Sequence, residues 1–197
     1  MKYFQILLFI FFLSCNNSGN NKDKTIADFP KKSEEKENTR IFFPVTTYLK
    51  GQLFDIKNNG ITPIKFTFHQ NTYDSVWIKS DSLNKAFADF LMPEIDSVNL
   101  SSFFGVTNFF DESLDALTLS YDPVKPLPDT IPWQRWDIYI NPVSHNVQRL
   151  YLVKRINMNT TKQLTWLQGK GCKIRTITED LSGKPNIASD IEIKWEY

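Results

Sequence analysis

A chain of 197 residues suits one domain, or one domain with a tail, and is short for a multi-domain assembly. Its 23 Lys and Arg against 22 Asp and Glu leave a formal charge of +1, which argues against generic nucleic-acid binding, and 41% hydrophobic residues exclude a wholly disordered chain. Two cysteines make no disulfide framework, the two histidines lie far apart, and no Cys/His spacing suits zinc, so neither a metal nor another cofactor is expected.

The chain opens with Lys2, then an apolar run from Tyr3 to Leu13 broken only by Gln5, then Ser14 and Cys15. A run of about eleven residues is too short to cross a bilayer as a helix and is the size of a signal-peptide core. Phe12-Leu13-Ser14-Cys15 resembles the lipobox of bacterial lipoproteins, with Phe12 where Leu is more usual. The resemblance implies cleavage before Cys15, with acyl chains on its thiol and its new amine. Residues 1–14 are then the signal peptide. Several acyl chains, at ~0.8 kcal/mol per buried methylene, make such an anchor effectively permanent.

From Asn16 to Arg40 the chain has eleven charged residues and scarcely any apolar ones. Such a composition cannot offset the entropy of ordering, so residues 15–40 are expected to be a lipidated, disordered tether with a reach on the order of 25–30 Å. Asn16 differs from the Asp of inner-membrane retention signals, which implies an outer-membrane lipoprotein of the cell envelope.

Residues 41–197 are read as a single domain. Val45, Tyr48, Leu49, Leu53 and Ile56 recur at helical spacing after Pro44, and Asn58-Asn59-Gly60 closes that helix. Ile64, Phe66 and Phe68 alternate with polar residues, and a turn near Gln70-Asn71 leads to Val76-Trp77-Ile78, giving a hairpin. Asp81 is positioned to cap a helix with Leu83, Phe87, Phe90 and Leu91 on one face, ending at Pro93. Asp96 is positioned to cap another, lined by Leu100, Phe103 and Phe104 and closed by Gly105. Strand alternation follows over 117–121, 136–140, 147–156, 164–167 and 172–178, and again at the end, where Ile191, Ile193, Trp195 and Tyr197 oppose Glu192, Lys194 and Glu196. Helices early and strands late make this an α+β fold. The expected architecture is a curved antiparallel sheet of about six to eight strands packed on two or three helices. The element order is similar to nuclear-transport-factor-2-like domains and, secondly, to periplasmic lipoprotein carriers. Neither likeness implies an activity.

Candidate chemistry is sparse. Cys172 sits in a strand-like segment and reads as a buried thiol, His145 as a turn residue, and His69 as a residue on the polar face of a strand. Asp111, Glu112 and Asp115 crowd one segment without a calcium-loop pattern. The five tryptophans fall in or beside strands and read as core; Trp136, Tyr139 and Tyr151 would line a pocket if there were one. Charge is segregated. Asp81 to Asp122 holds eight acids and one base, whereas Ile138 to Thr178 holds seven bases and no acid. Either acidic helices pack beside basic strands, or Arg149, Arg155, Lys173 and Arg175 form a patch for an anionic lipid, glycan or protein. Strand alternation alone does not say whether their faces coincide. The leading reading is therefore a non-catalytic, lipid-anchored envelope domain that binds a ligand or partner. The alternatives are an envelope hydrolase whose site is assembled from scattered residues, or a carrier-like module for lipid or lipoprotein.

Overall fold

The computed structural model describes residues 42–69 and 72–195. The leader, Cys15 and the tether lie outside the described residues. So do Glu196 and Tyr197.

Helix α1 (Val45–Asn58) forms where the apolar stripe requires it, with Val45, Leu49, Leu53 and Ile56 buried. It ends as the Asn59 and Gly60 amides bond back to the Asp55 and Lys57 carbonyls, Gly60 taking the left-handed φ of 68° that favours glycine. Strands β1 (Ile64–His69) and β2 (Thr72–Trp77) make the expected hairpin. The helix expected after Asp81 is broken. A 3-10 turn at Ser80–Ser82 leads into two single-turn helices, α2 (Leu83–Ala86) and α3 (Ala88–Leu91), separated at Phe87, whose φ of −104° and ψ of 12° leave the helical region. Phe87 is fully buried, and Asp81 lies within the 3-10 turn, where its side chain caps nothing. Asp96 does cap: its carboxylate accepts from the Asn99 amide at 2.8 Å to start α4 (Ser97–Leu100).

The second correction concerns Phe104 and Gly105. They do not end a helix; they begin β3 (Phe104–Asp111), an edge strand of which only Phe104 is buried. From there the chain meanders through β4 (Ala116–Pro123), β5 (Trp133–Ile140), β6 (Val147–Asn157), β7 (Thr160–Leu167), β8 (Gly171–Glu179) and β9 (Pro185–Lys194). All nine strands belong to one open antiparallel sheet, in the order β2-β1-β9-β8-β7-β6-β5-β4-β3, rather than the expected six to eight. The last strand is not peripheral. It inserts between β1 and β8, so the hairpin nearest the start of the domain is tied to the meander through its end.

The sheet has two unlike faces because side chains alternate along each strand. One packs on the helices and carries the core. Trp136 lies parallel on Tyr121 with centroids 5.0 Å apart, and Trp166 contacts Phe87, Phe90 and Trp195 at 4.8 to 5.5 Å. Four tryptophans, Trp133, Trp136, Trp166 and Trp195, are at most 3% exposed; Trp77, on the edge strand, is 64% exposed. Cys172 is buried on the core side. Ile193 and Trp195 are buried, as their alternation requires, and Ile191 packs against the core from a half-buried position. No helix among the described residues is long and apolar enough to cross a membrane.

Candidate anion-binding site

The outer face of the sheet, opposite the helices, is polar across its middle. Its register is continuous from strand to strand. One row runs Trp77, Ile64, Lys194, Gly171, Leu167, Arg149, Tyr139, and the next runs Phe66, Glu192, Lys173, Thr165, Tyr151, Asp137, Ser120. Arg149, Arg155, Lys173 and Arg175 therefore do share a face.

The same alternation divides the basic stretch between two fates. Lys154 and Lys162 point to the helix side, where Asp89 of α3 meets Lys162 at 2.7 Å and Lys154 at 3.9 Å. That is internal matching of acidic helices with basic strands. On the outer face, Arg155 reaches Asp129 at 3.8 Å, and Lys173 and Arg175 converge on one oxygen of Asp190 at 3.0 and 2.9 Å. Arg135 binds the buried Asp137 at 3.1 Å, and Asp137 also accepts from the Ser120 hydroxyl at 2.6 Å. Arg149 has no carboxylate within ion-pairing distance among the described residues. Its guanidinium lies 5.6 Å from the Tyr139 ring centre, and its Nε is buried with no hydrogen-bond partner among the described residues.

Beside Arg149 the ladder has a notch. Gly171 occupies the outer-face position between Leu167 and Lys194 and contributes no side chain of its own there. Glycine is required there because a Cβ would come within 2.5 Å of the Ile193 carbonyl oxygen. Around this position opens a cavity of about 360 Å³, lined in part by Arg149, Thr165, Leu167, Lys170, Lys173, Glu192 and Lys194. Its four cations against one carboxylate give the lining a net charge of +3. Two of those cations are already engaged, Lys173 with Asp190 at 3.0 Å and Lys194 with Glu192 at 3.3 Å, but both are 44% to 49% exposed. Exposed pairs of this kind contribute about 0–1 kcal/mol, so an incoming anion competes with them easily.

The neighbouring phenols fit the same chemistry. Burial pushes the Tyr139 and Tyr151 hydroxyls up from their ordinary value, so both stay neutral donors at physiological pH. With Arg149 and the three lysines beside them, they equip the notch to hold an anion. Burial pushes the Cys172 thiol well up, a poor setting for a nucleophile.

The structure brings together only part of the expected patch. Arg149 and Lys173 meet at the notch. Arg175 sits one row away with Asp190, and Arg155 lies six residues along β6, ~20 Å from Arg149 at ~3.3 Å per residue. Lys170 and Lys194 belong to the site, and sequence reasoning left both out of the patch. The expected grouping of Trp136 with Tyr139 and Tyr151 needs correcting. Trp136 is fully buried on the helix face, and the two tyrosines are on the other. His145 occupies its expected turn with a φ of 58°, and nothing is described of the His69 side chain. The Asp111 carboxylate is taken up by the Ser113 hydroxyl at 2.6 Å and by the amides of Ser113 and Leu114. Compared with protein-family models, with curated proteins and with solved structures, the chain matches none.

Proposed function

We propose that this chain is a lipid-anchored protein of the bacterial cell envelope whose domain binds an anionic ligand, without transforming it, at the Gly171 notch. The observation that carries the reading is Arg149, a half-buried cation with no acidic partner among the described residues, at the rim of a cavity with three lysines and one glutamate. A guanidinium that no carboxylate engages is suited to recognition of a carboxylate or phosphate. The cavity is of small-ligand size, at the lower end of the usual range. The lipobox-like leader supports the location: a lipid on Cys15 would hold the domain at a membrane within reach of envelope components.

The test is a titration of the mature, unacylated chain with glucuronate and with inorganic phosphate, beside neutral glucose, at low and high ionic strength. Saturable binding of the anions alone, weakened by salt and lost in Arg149→Glu, is the expected result. Binding of glucose as strong as that of glucuronate, or binding untouched by Arg149→Glu, would overturn the reading.

A further inference from the structure

We infer that the ligand of this face is an acidic oligosaccharide, held by its charge in the Gly171 notch and by its rings on the aromatic hairpin β1–β2. The inference rests on the notch reading and extends it. The notch row continues without interruption through Lys194 and Ile64 to Trp77 on the free edge. Lys194 belongs to both parts: it lines the cavity, and its ammonium lies 5.6 Å from the Phe66 ring centre. Beyond it the outer face of the hairpin presents Phe66, Phe68, Tyr73 and Trp77. Phe66 and Tyr73 lie nearly parallel, with centroids 5.7 Å apart and planes at 26°. Tyr73 and Trp77 are 59% and 64% exposed.

The surroundings of these rings decide between occupants. An acyl chain gains most from leaving water on every side. Here the rings stand open, with Ser75, Glu192 and Asp190 set among them in the ladder. That mixture suits a partner with an apolar ring face and a hydroxylated edge, which is the chemistry of a sugar. The notch adds the demand for negative charge. From Gly171 to Trp77 the row crosses three strand spacings, ~14 Å at ~4.8 Å each, too far for one pyranose ring to touch both ends.

The experiment uses the mature chain carrying Cys15→Ser and compares glucuronate, an oligouronate long enough to span the row, a neutral oligosaccharide of the same length, and vesicles of anionic phospholipid. The oligouronate should bind about tenfold tighter than the monomer, the equivalent of ~1.4 kcal/mol. Trp77→Ala and Tyr73→Ala should each remove most of that advantage and leave monomer binding unchanged. Acrylamide quenching of Trp77, the only exposed tryptophan of the five, should fall with the oligomer and not with the monomer. Equal affinities for the two uronates, or an oligomer advantage that survives Trp77→Ala, would overturn the extension and leave the notch standing. Failure of both uronates to bind at low ionic strength would remove the notch reading, and this one with it. Vesicle binding that depends on Trp77, in place of oligouronate binding, would assign the hairpin to the membrane and overturn the glycan.

Discussion

Truncating Trp195 to alanine tests whether the end of the chain holds the sheet together. The side chain is 3% exposed and packs on Trp166 at 4.8 Å and on Phe87 at 5.6 Å, joining the end of β9 to the helix layer. A buried tryptophan removes roughly 150–250 Å² from water, which at ~25 cal/mol per Å² gives an upper figure of about 4–6 kcal/mol. Measured Trp and Phe truncations in cores cost about 3–5 kcal/mol, and this site should fall in that range, because Phe87 and Trp166 cannot both collapse into the gap. The Trp195 amide bond to the Lys170 carbonyl at 2.9 Å survives the substitution, so the loss reports on packing alone. Trp77→Ala is the control: at 64% exposure it should change stability by less than about 0.5 kcal/mol. Urea denaturation followed by circular dichroism measures both, with an unchanged m-value confirming that the same surface unfolds. A Trp195→Ala loss below about 1 kcal/mol, or a Trp77→Ala loss as large, would refute the assignment of the two sheet faces.

Cys15→Ser should abolish incorporation of radiolabelled lipid and leave an unprocessed or mislocalised precursor; normal maturation in the membrane fraction would defeat the lipobox reading. Gly171→Ala should both destabilise the domain by about 1–3 kcal/mol, from the 2.5 Å approach to the Ile193 carbonyl, and weaken anion binding; unchanged affinity would place the ligand elsewhere. Burial raises the folded Cys172 thiol above its unfolded value of ~8.5, so the native state holds its proton longer than the unfolded state does. Stability should be insensitive to this group below about pH 8 and fall above it, by up to ~1.4 kcal/mol per pH unit. Cys172→Ala should flatten that slope in urea titrations between pH 7.5 and 9.5, and an identical slope would show the thiol to be solvated. Tyr48, pushed up to about 12 by burial, has the same sign but acts only above its ordinary value of 10.

Much of this fold is legible where one side of an element is buried. The α1 stripe and the alternation of β5, β6 and β8 are readable because each has a wet face and a dry one. Strand β3 was not, since an edge strand that buries little beyond Phe104 shows no alternation. The break at Phe87 was hidden for the opposite reason: a helical stripe persists through α2 and α3 because Leu83, Phe87, Phe90 and Leu91 are all buried although the backbone is not continuously helical. Trp136 was separable from Tyr139 in principle, because it shares its parity with Ile138 and Ile140. The site itself was only half legible. Arg149 and Lys173 stood out by charge, but Lys194 joins them only because β9 inserts between β1 and β8. Pairings between distant strands are set by the whole sheet and leave no local mark.

The central claim rests on one guanidinium, and the most direct measurement observes it. Arginine side-chain NMR of the mature, unacylated chain would follow the Arg149 Nε–H resonance, assigned by its loss in Arg149→Lys, during a glucuronate titration. Nε–H is buried with no hydrogen-bond partner among the described residues and reports on the guanidinium it belongs to, so an anion held by that guanidinium should move the resonance to saturation, while the resonance of Arg155 stays in place ~20 Å away. Movement elsewhere on the sheet with Arg149 unmoved, or no saturable movement at low ionic strength, would contradict the account.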